Sequence, residues 1–180
     1  MPEIQIRPVK PDDIQALISL EHDYKSDYVW QMDIQQDVEP EINVQFRLIR
    51  LPRSVKVEYP RPYKNLPREW KSKSGLLVAC MQDSVIGYVG LMIGNVPDTV
   101  WATDLVVKQA LRRQGIASTL VLAAQTWTRK HDCSRLILEM QIKNHPAISL
   151  AKKLGYDFCG FNDSYYLNRD IALFYSKFVR

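Results

Sequence analysis

Between Thr99 and Ile142 the hydrophobic repeat changes from two, to about 3.6, and back again, and this most constrains the fold. "TVWATDLVV" alternates with strong β-propensity. In the stretch that follows, Ile116, Leu120, Ala124 and Trp127 fall on one helical face running to Lys130, and "SRLILEMQI" reads as a buried strand. A strand, a helix and a second strand in this order predict a right-handed crossover joining two parallel strands.

The flanking segments extend the pattern. Upstream, "IQIRPV" reads as a strand, followed by a helix in "KPDDIQALISLEHDY" with Asp12 or Asp13 as its cap. "SGLLVACMQ" and "VIGYVGLMIGN", separated by an Asp83-Ser84 turn, join "TVWATDLVV" in an antiparallel meander. "INVQFRLIRL" alternates as a strand. "PRSVKVEYPRPYKNLPREW" carries four prolines and is expected to be a strand fragment and then an irregular loop, while "SDYVWQMDIQQDVEPE" is aromatic and acidic without an assigned element. Downstream, "NHPAISLAKKLGY" predicts a short helix capped by Asn144, with Pro146 in its first turn and Gly155 just past its end. The tail reads as two strands around Asn168-Arg169-Asp170. The fold class is α/β, and 180 residues fit one domain.

At 46% apolar and 24% charged residues, the composition is that of a soluble globular chain. Three cysteines without C-x-x-C spacing, no signal-like start and no apolar run near the roughly 18 residues of a membrane span lead to the expectation of a reduced, cytoplasmic protein with no membrane partner. A net charge of +4 does not demand nucleic acid. Its distribution is uneven: nine acidic residues against one lysine from Asp12 to Glu41, then nine basic against two acidic from Arg47 to Lys73. Either the two stretches pack together, or the acidic one attracts a cation. A nucleic-acid module using the arginines of residues 47–68 is the weaker rival, since no binding motif accompanies them.

"LRRQGIASTL" carries chemistry. A helix starting at Gly115 leaves its first amides unpaired and adds about half a positive charge, which suits a phosphate. Arg112 and Arg113 can add side-chain charge to the amides of Gln114, Gly115, Ile116, Ala117 and Ser118. Neither a P-loop nor a three-glycine dinucleotide fingerprint is present.

"DLVVKQALRRQGIASTLVLAAQTW" resembles the acetyl-CoA motif of the GNAT superfamily of N-acetyltransferases, [RQ]-x-x-G-x-[GA], through Arg112, Gly115 and Ala117. "NHPAISLAKKLGYDFCG" is similar to the family's Asn-x-x-Ala helix ending in Leu-Gly-aromatic, and "LEMQIKNHPAISLAKKLGY" with "IALFYSKF" is loosely similar to streptothricin acetyltransferases. The resemblance covers residues 99–161 and the opening; residues 30–73 match no family pattern. It implies one GNAT-like domain over 1–180, with a mixed, mostly antiparallel sheet, a central parallel strand pair and flanking helices. It further implies an acetyl-CoA-dependent N-acetyltransferase that transfers the acetyl group by direct attack in a ternary complex.

On that resemblance acetyl-CoA lies where two parallel strands splay, against the main chain of Leu105, Val106 and Val107. Its pyrophosphate falls on Gln114 to Ala117, and Asn144 lies near its sulfur, where a cap role is equally open. Asp104 and Glu139 are the candidate bases, and the Val107 amide is placed to stabilise an oxyanion. The family's usual tyrosine acid falls on Ala151 here, so Tyr156, Tyr165, Tyr166 or Tyr175 becomes the substitute, or none is needed; Tyr156 is also read as core. Glu21, Asp23, Tyr24, Asp27, Tyr28 and Trp30 wall the acceptor groove and suit a cationic small molecule or a peptide N-terminus. No metal site is expected, a homodimer stays open, and the alternative to an enzyme is a non-catalytic acyl-CoA sensor, motivated by Ala151.

Overall fold

The computed structural model describes residues 3–35, 41–94 and 96–179. Seven strands form one sheet: β1 (Gln5–Pro8), β4 (Gly75–Met81), β5 (Ser84–Ile93), β6 (Thr99–Val107), β7 (Arg135–Gln141), β8 (Asp157–Asn162) and β9 (Ala172–Phe178), in the spatial order β1-β4-β5-β6-β7-β9-β8. Only β6 and β7 run parallel, joined by α3 (Ile116–Lys130) as the period change predicts. Two more strands, β2 (Tyr24–Gln35) and β3 (Asn43–Val57), form a separate antiparallel ribbon. Short helices α1 (Ile14–Ile18) and α2 (Leu66–Glu69) lie on one face of the large sheet, and α3 with α4 (His145–Lys153) on the other.

Two apolar clusters sandwich the sheet. On the α3 and α4 face, Ile116, Leu120, Val121 and Ala124 pack with Ile148 and Ala151 onto Val89, Val100, Leu136 and Leu138. On the opposite face, Leu17 and Leu66 pack onto Val78, Tyr88 and Val106. Buried His22 joins this second layer: Nδ1 meets Leu20 O at 2.7 Å, Nε2 meets Tyr88 Oη at 3.1 Å, and the ring stacks on Tyr63 at 3.7 Å. Burial pushes its pKa down, so the ring stays neutral near pH 7.

Several boundaries differ from expectation. The first helix ends at Ile18 rather than Tyr24. Asp13 lies just ahead of it, but its carboxylate is taken by Lys10 N (2.7 Å) and by a two-pronged pair with Arg7 (2.7 and 2.8 Å). The β4–β5 turn falls on Gln82 and Asp83, both at positive φ, one residue earlier than Asp83-Ser84. The unassigned aromatic and acidic stretch is strand β2 as far as Gln35, its residues 36–40 lying outside the described residues; the partner β3 absorbs the proline-bearing fragment as far as Val57, and the loop after it carries α2 and two short 3-10 turns.

The ribbon also accounts for the charge asymmetry. Arg47 bonds Asp33 at 2.6 Å and Lys56 bonds Asp23 at 2.9 Å, so acidic and basic stretches meet as neighbours. Packing, the plainer of the two readings, accounts for these two pairs, while Arg61 and Lys73 of the basic stretch pair with Glu139 and Asp104 instead. Among the described residues all three cysteines are free, and no helix is long and apolar enough to cross a membrane.

The Arg7 guanidinium, through its side-chain hydrogen bonds, holds the Asp13 carboxyl below the usual carboxylate range even though burial opposes this. A lowered folded pKa contributes stability above the unfolded value and loses it as pH falls through the folded one. Asp13→Ala is therefore expected to cost about 2 kcal/mol at pH 7, with the gap from wild type narrowing below the ordinary carboxylate range. Urea unfolding at pH 7 and pH 3 measures both.

Candidate active site

The site begins with a fault in one strand. Strands β6 and β7 pair from Thr99 and Arg135 only as far as Ala102 and Leu138, although they continue to Val107 and Gln141. At the same point the β5–β6 register slips: Gly90 faces Asp104, Leu91 faces Ala102, and Thr103 is left over as a bulge. The bulge inverts the side-chain parity of β6. Val100 and Ala102 point to the α3 face before it, and Leu105 and Val107 do so after it, so Asp104 and Val106 are turned to the other face.

Main-chain groups follow the same logic. Lys108 N–H donates to Ile86 O at 2.8 Å, and in an antiparallel ladder hydrogen-bonded pairs alternate, so Val106 with Tyr88 and Asp104 with Gly90 are the paired positions. The backbone groups of Leu105 and Val107 consequently face away from β5, toward the gap beside β7. These are two of the three positions that the sequence reading assigned to main-chain contacts. Val106 instead turns its side chain into the second core cluster.

A cavity occupies the gap, lined by Tyr59, Leu105, Glu139, Met140, Asn144 and Tyr166 among others. Asn144 Oδ1 caps α4 by accepting Ala147 N–H at 3.1 Å, so one side chain both caps the helix and borders the cavity. At the other end of the gap, Gly115 has φ +89 and Arg113 φ +67, which curl the loop before α3. The N–H groups of Ile116, Ala117 and Ser118 have no carbonyl one turn back, because α3 starts there. Gly115 and Gln114 are exposed at this mouth.

Arg112 departs from the expected role. Its Nε donates to Val107 O (2.9 Å) and its terminal nitrogens to Asp23 O (2.9 Å) and Glu21 O. The guanidinium is thus committed to three carbonyls and ties residues 21–23 to the end of β6. Arg113 remains exposed beside the helix start.

Each candidate base is paired with a cation. Asp104, buried, accepts Tyr59 Oη (2.6 Å), Lys73 Nζ (2.7 Å) and Thr103 Oγ1 (2.9 Å). Burial pushes its pKa up, but the Lys73 charge and these bonds outweigh it, and the carboxyl sits below its usual range. The Glu139 side chain, 1% exposed, bonds Arg61 through Oε1 and accepts Tyr165 Oη at 3.1 Å on Oε2. Here burial wins over Arg61, and the carboxyl is held above its usual range. Gly90 makes room for the first pair, since a Cβ there would lie 2.8 Å from Asp104 Oδ2.

The tyrosines separate clearly. Tyr166 lines the cavity, and Tyr165 reaches Glu139. Tyr156 is buried under α3 with its hydroxyl accepting Gln125 Nε2 at 3.0 Å, and Tyr175 packs on Phe158; neither borders the gap.

Of the acceptor-side residues, Tyr24 donates to Gln141 Oε1 at 2.7 Å and so touches the cavity wall. Asp27 is exposed, Tyr28 lies 4.8 Å from the His145 ring, and Trp30 stands under Lys152 Nζ (4.6 Å) in a separate groove with Phe46 and Phe158. Sequence reasoning did not single out Tyr59, Arg61, Lys73 or Gly90. The "YPRPY" run, an arginine between two prolines in a segment that carries neither of the two quoted motifs, was the available signal for the first two.

Comparison with known proteins places this geometry. The chain is 36% identical over 80 residues to the "Putative ribosomal protein bS18-alanine N-acetyltransferase" of Bacillus subtilis (strain 168), an alignment covering 44% of the chain and 52% of that relative. The chain thus spans about half the length of this curated relative. The crystal structure of nourseothricin acetyltransferase superposes with a TM-score of 0.83 at 20% identity, covering 98% of this chain and 99% of the other. A structure described as a "putative streptothricin acetyltransferase" from Bacillus anthracis str. Ames, in complex with acetyl coenzyme A, gives 0.75 at 16% identity over 99% and 98% of the two chains. At these identities the two structures establish the fold.

Gly115→Ala forces a side chain into the left-handed region, where open space surrounds it, so its cost is conformational: about 1 kcal/mol of stability. It also displaces the amides at the helix mouth, and calorimetric titration is expected to show coenzyme A binding weakened at least fivefold. The Acetyltransferase (GNAT) family model matches residues 38–156, spanning the strand gap and the helix mouth, and the chain belongs to that family.

Proposed function

We propose that this chain transfers the acetyl group of acetyl-CoA to a primary amine, carried by a cationic small molecule or a peptide N-terminus, by direct attack in a ternary complex. The observation that carries the reading is the parting of β6 and β7 after Ala102 and Leu138, with a buried carboxylate in the gap and unpaired helix amides at its mouth. The first amides of α3 suit the diphosphate, and the gap-facing backbone of Leu105 and Val107 suits the pantetheine amides. Asn144 borders the position of the sulfur. Coenzyme A supplies the thioester, and the chain supplies alignment and proton handling.

The two faces of the sheet divide the work. Leu105 and Met140 belong to the α3 and α4 side, where the cofactor enters; Asp104 and Glu139 face the opposite side, where the acceptor enters. An amine arrives as an ammonium ion and must lose a proton before attack. Asp104, depressed by Lys73, is the poorer base, and its three donors suit it to hold Tyr59 and Lys73 in position. Glu139, raised by burial, is the better base, because taking a proton relieves its desolvation.

Carbon–nitrogen bond formation then proceeds as the carbon–sulfur bond breaks, with the Val107 amide facing the developing oxyanion. The thiolate takes a proton from solvent or from Tyr166, which lines the cavity and is reprotonated by solvent afterwards; burial raises the Tyr166 pKa and so weakens it as an acid. Tyr166, rather than Tyr156, is the substitute for the acid missing at Ala151. The similarity to the "Putative ribosomal protein bS18-alanine N-acetyltransferase" and to the "putative streptothricin acetyltransferase" supports a primary amine acceptor.

Free-thiol release from acetyl-CoA, screened over polyamines, streptothricin-class antibiotics, amino acids and short peptides beginning with alanine, is the direct test. Release with at least one amine is expected; tight acetyl-CoA binding without release would support the sensor instead. Glu139→Gln is expected to lower kcat about 100-fold or more with acetyl-CoA affinity retained, and to remove the rising limb of the pH–rate profile. That limb lies above the ordinary carboxylate range because the carboxyl must be ionised to accept a proton.

A further inference from the structure

The acceptor side of the gap is closed. Tyr59 and Pro60 line it, and Arg61 lies across Glu139 with its Cζ 5.7 Å from the Tyr166 ring centre. A buried carboxylate beside an aromatic face is the recognition chemistry of an organic cation, and a side chain of this protein already fills that place.

Its fit is incomplete. The Arg7 pair with Asp13 is two-pronged, whereas Arg61 reaches Glu139 through one terminal nitrogen, and its Nε is buried without a hydrogen-bond partner. An unpaired buried donor weakens the resting arrangement. Beyond Tyr59, whose N–H reaches Asp23 (3.1 Å) and whose Oη reaches Asp104 (2.6 Å), residues 60–62 are tied by local backbone bonds, Tyr63 N to Arg61 O and Asn65 N to Pro62 O (2.8 Å each). Pro60 and Pro62 have no N–H to anchor them.

Resting on the acetyl-transfer reading, we infer that Arg61 is the resting occupant of the acceptor's ammonium subsite, and that a primary ammonium displaces it from Glu139 and Tyr166 as residues 60–62 swing outward, with Tyr59 still held by Asp23 and Asp104. A guanidinium does not surrender its proton near neutrality, so the resting pair is inert. A primary ammonium in the same place does. One N–H proton passes to Glu139, the freed electron pair attacks the thioester carbon, the carbon–nitrogen bond forms and the carbon–sulfur bond breaks. The nitrogen then gives up a second proton as the amide forms, the departing thiolate takes up one to become the free thiol, and Glu139 returns its own to solvent before Arg61 closes again. Neutral acceptors are excluded, because they would leave Glu139 buried without a cation.

The decisive experiment measures occupancy without turnover. Full-length wild type, Arg61→Ala, and Arg61→Ala combined with Glu139→Gln are titrated with 1–20 mM (about the range used for weak ligands) guanidinium chloride, methylammonium chloride or urea at constant ionic strength, followed by thermal melting and calorimetry. Guanidinium and methylammonium are expected to bind Arg61→Ala at least fivefold more tightly than wild type and to raise its melting temperature; urea, the neutral isostere, leaves it unchanged, and the double variant loses the response. Equal binding to wild type and Arg61→Ala, or binding that survives Glu139→Gln, overturns the inference.

Arg61→Lys keeps a cation in place should the alanine variant fold poorly, and it is expected to bind methylammonium at least threefold more tightly than wild type; unchanged or weaker binding is against the subsite. A failure of every amine to release thiol would instead count against acetyl transfer, and the two results are read separately.

Discussion

A single extra residue in β6 sets the geometry on which the rest depends. The bulge at Thr103 coincides with the end of β6–β7 pairing, and a strand that bends out of its ladder leaves backbone donors and acceptors facing a gap. Unpaired main chain inside a protein is tolerated where something else pairs with it. The chain surrounds this opening with a helix mouth, an asparagine cap and two carboxylates, and each is intelligible as a partner for a thioester, its diphosphate tail or the amine that attacks it.

Charge in the gap is handled by pairing. Lys73 with Asp104 and Arg61 with Glu139 place two cations against two carboxylates within one small volume, where lone charges would be strongly disfavoured. The pairs are not equivalent. Asp104 has three donors that outweigh its burial, and it stays ionised; at Glu139 burial outweighs Arg61 and Tyr165, and the carboxyl is driven toward its neutral form. Two acids of the same charge are thus held in different states by their surroundings, which is what the proposed division into a positioning group and a proton acceptor requires.

Much of this architecture can be read from the letters. The shift of period between Thr99 and Ile142 gives the crossover and its parallel strands, and Gly115 with Asn144 marks the two helix starts that border the site. The bulge is invisible in "TVWATDLVV", because uninterrupted alternation turns Asp104 toward the α3 core, and only the slipped register turns it away. The strand at Tyr24–Gln35 carries Tyr28, Trp30, Met32 and Ile34 at every second position, a signal masked by the acidic residues between and after them. Arg112 illustrates the opposite limit: an arginine at a helix mouth suits a phosphate, and its capture by the carbonyls of Glu21 and Asp23, 91 and 89 residues away in sequence, is revealed by no local pattern.

That capture has a mechanical consequence. By gripping the end of β6 and the chain just before the ribbon at once, Arg112 makes one jaw of the cleft stiff, continuous from the sheet through residues 21–23 into Tyr24. The opposing jaw, around Pro60 and Pro62, is tied by local turn bonds and by the side chains of Arg61 and its neighbour Tyr59. Any opening large enough to admit a second substrate must therefore be one-sided, with the thioester-bearing wall serving as the fixed reference against which the incoming nucleophile is aligned.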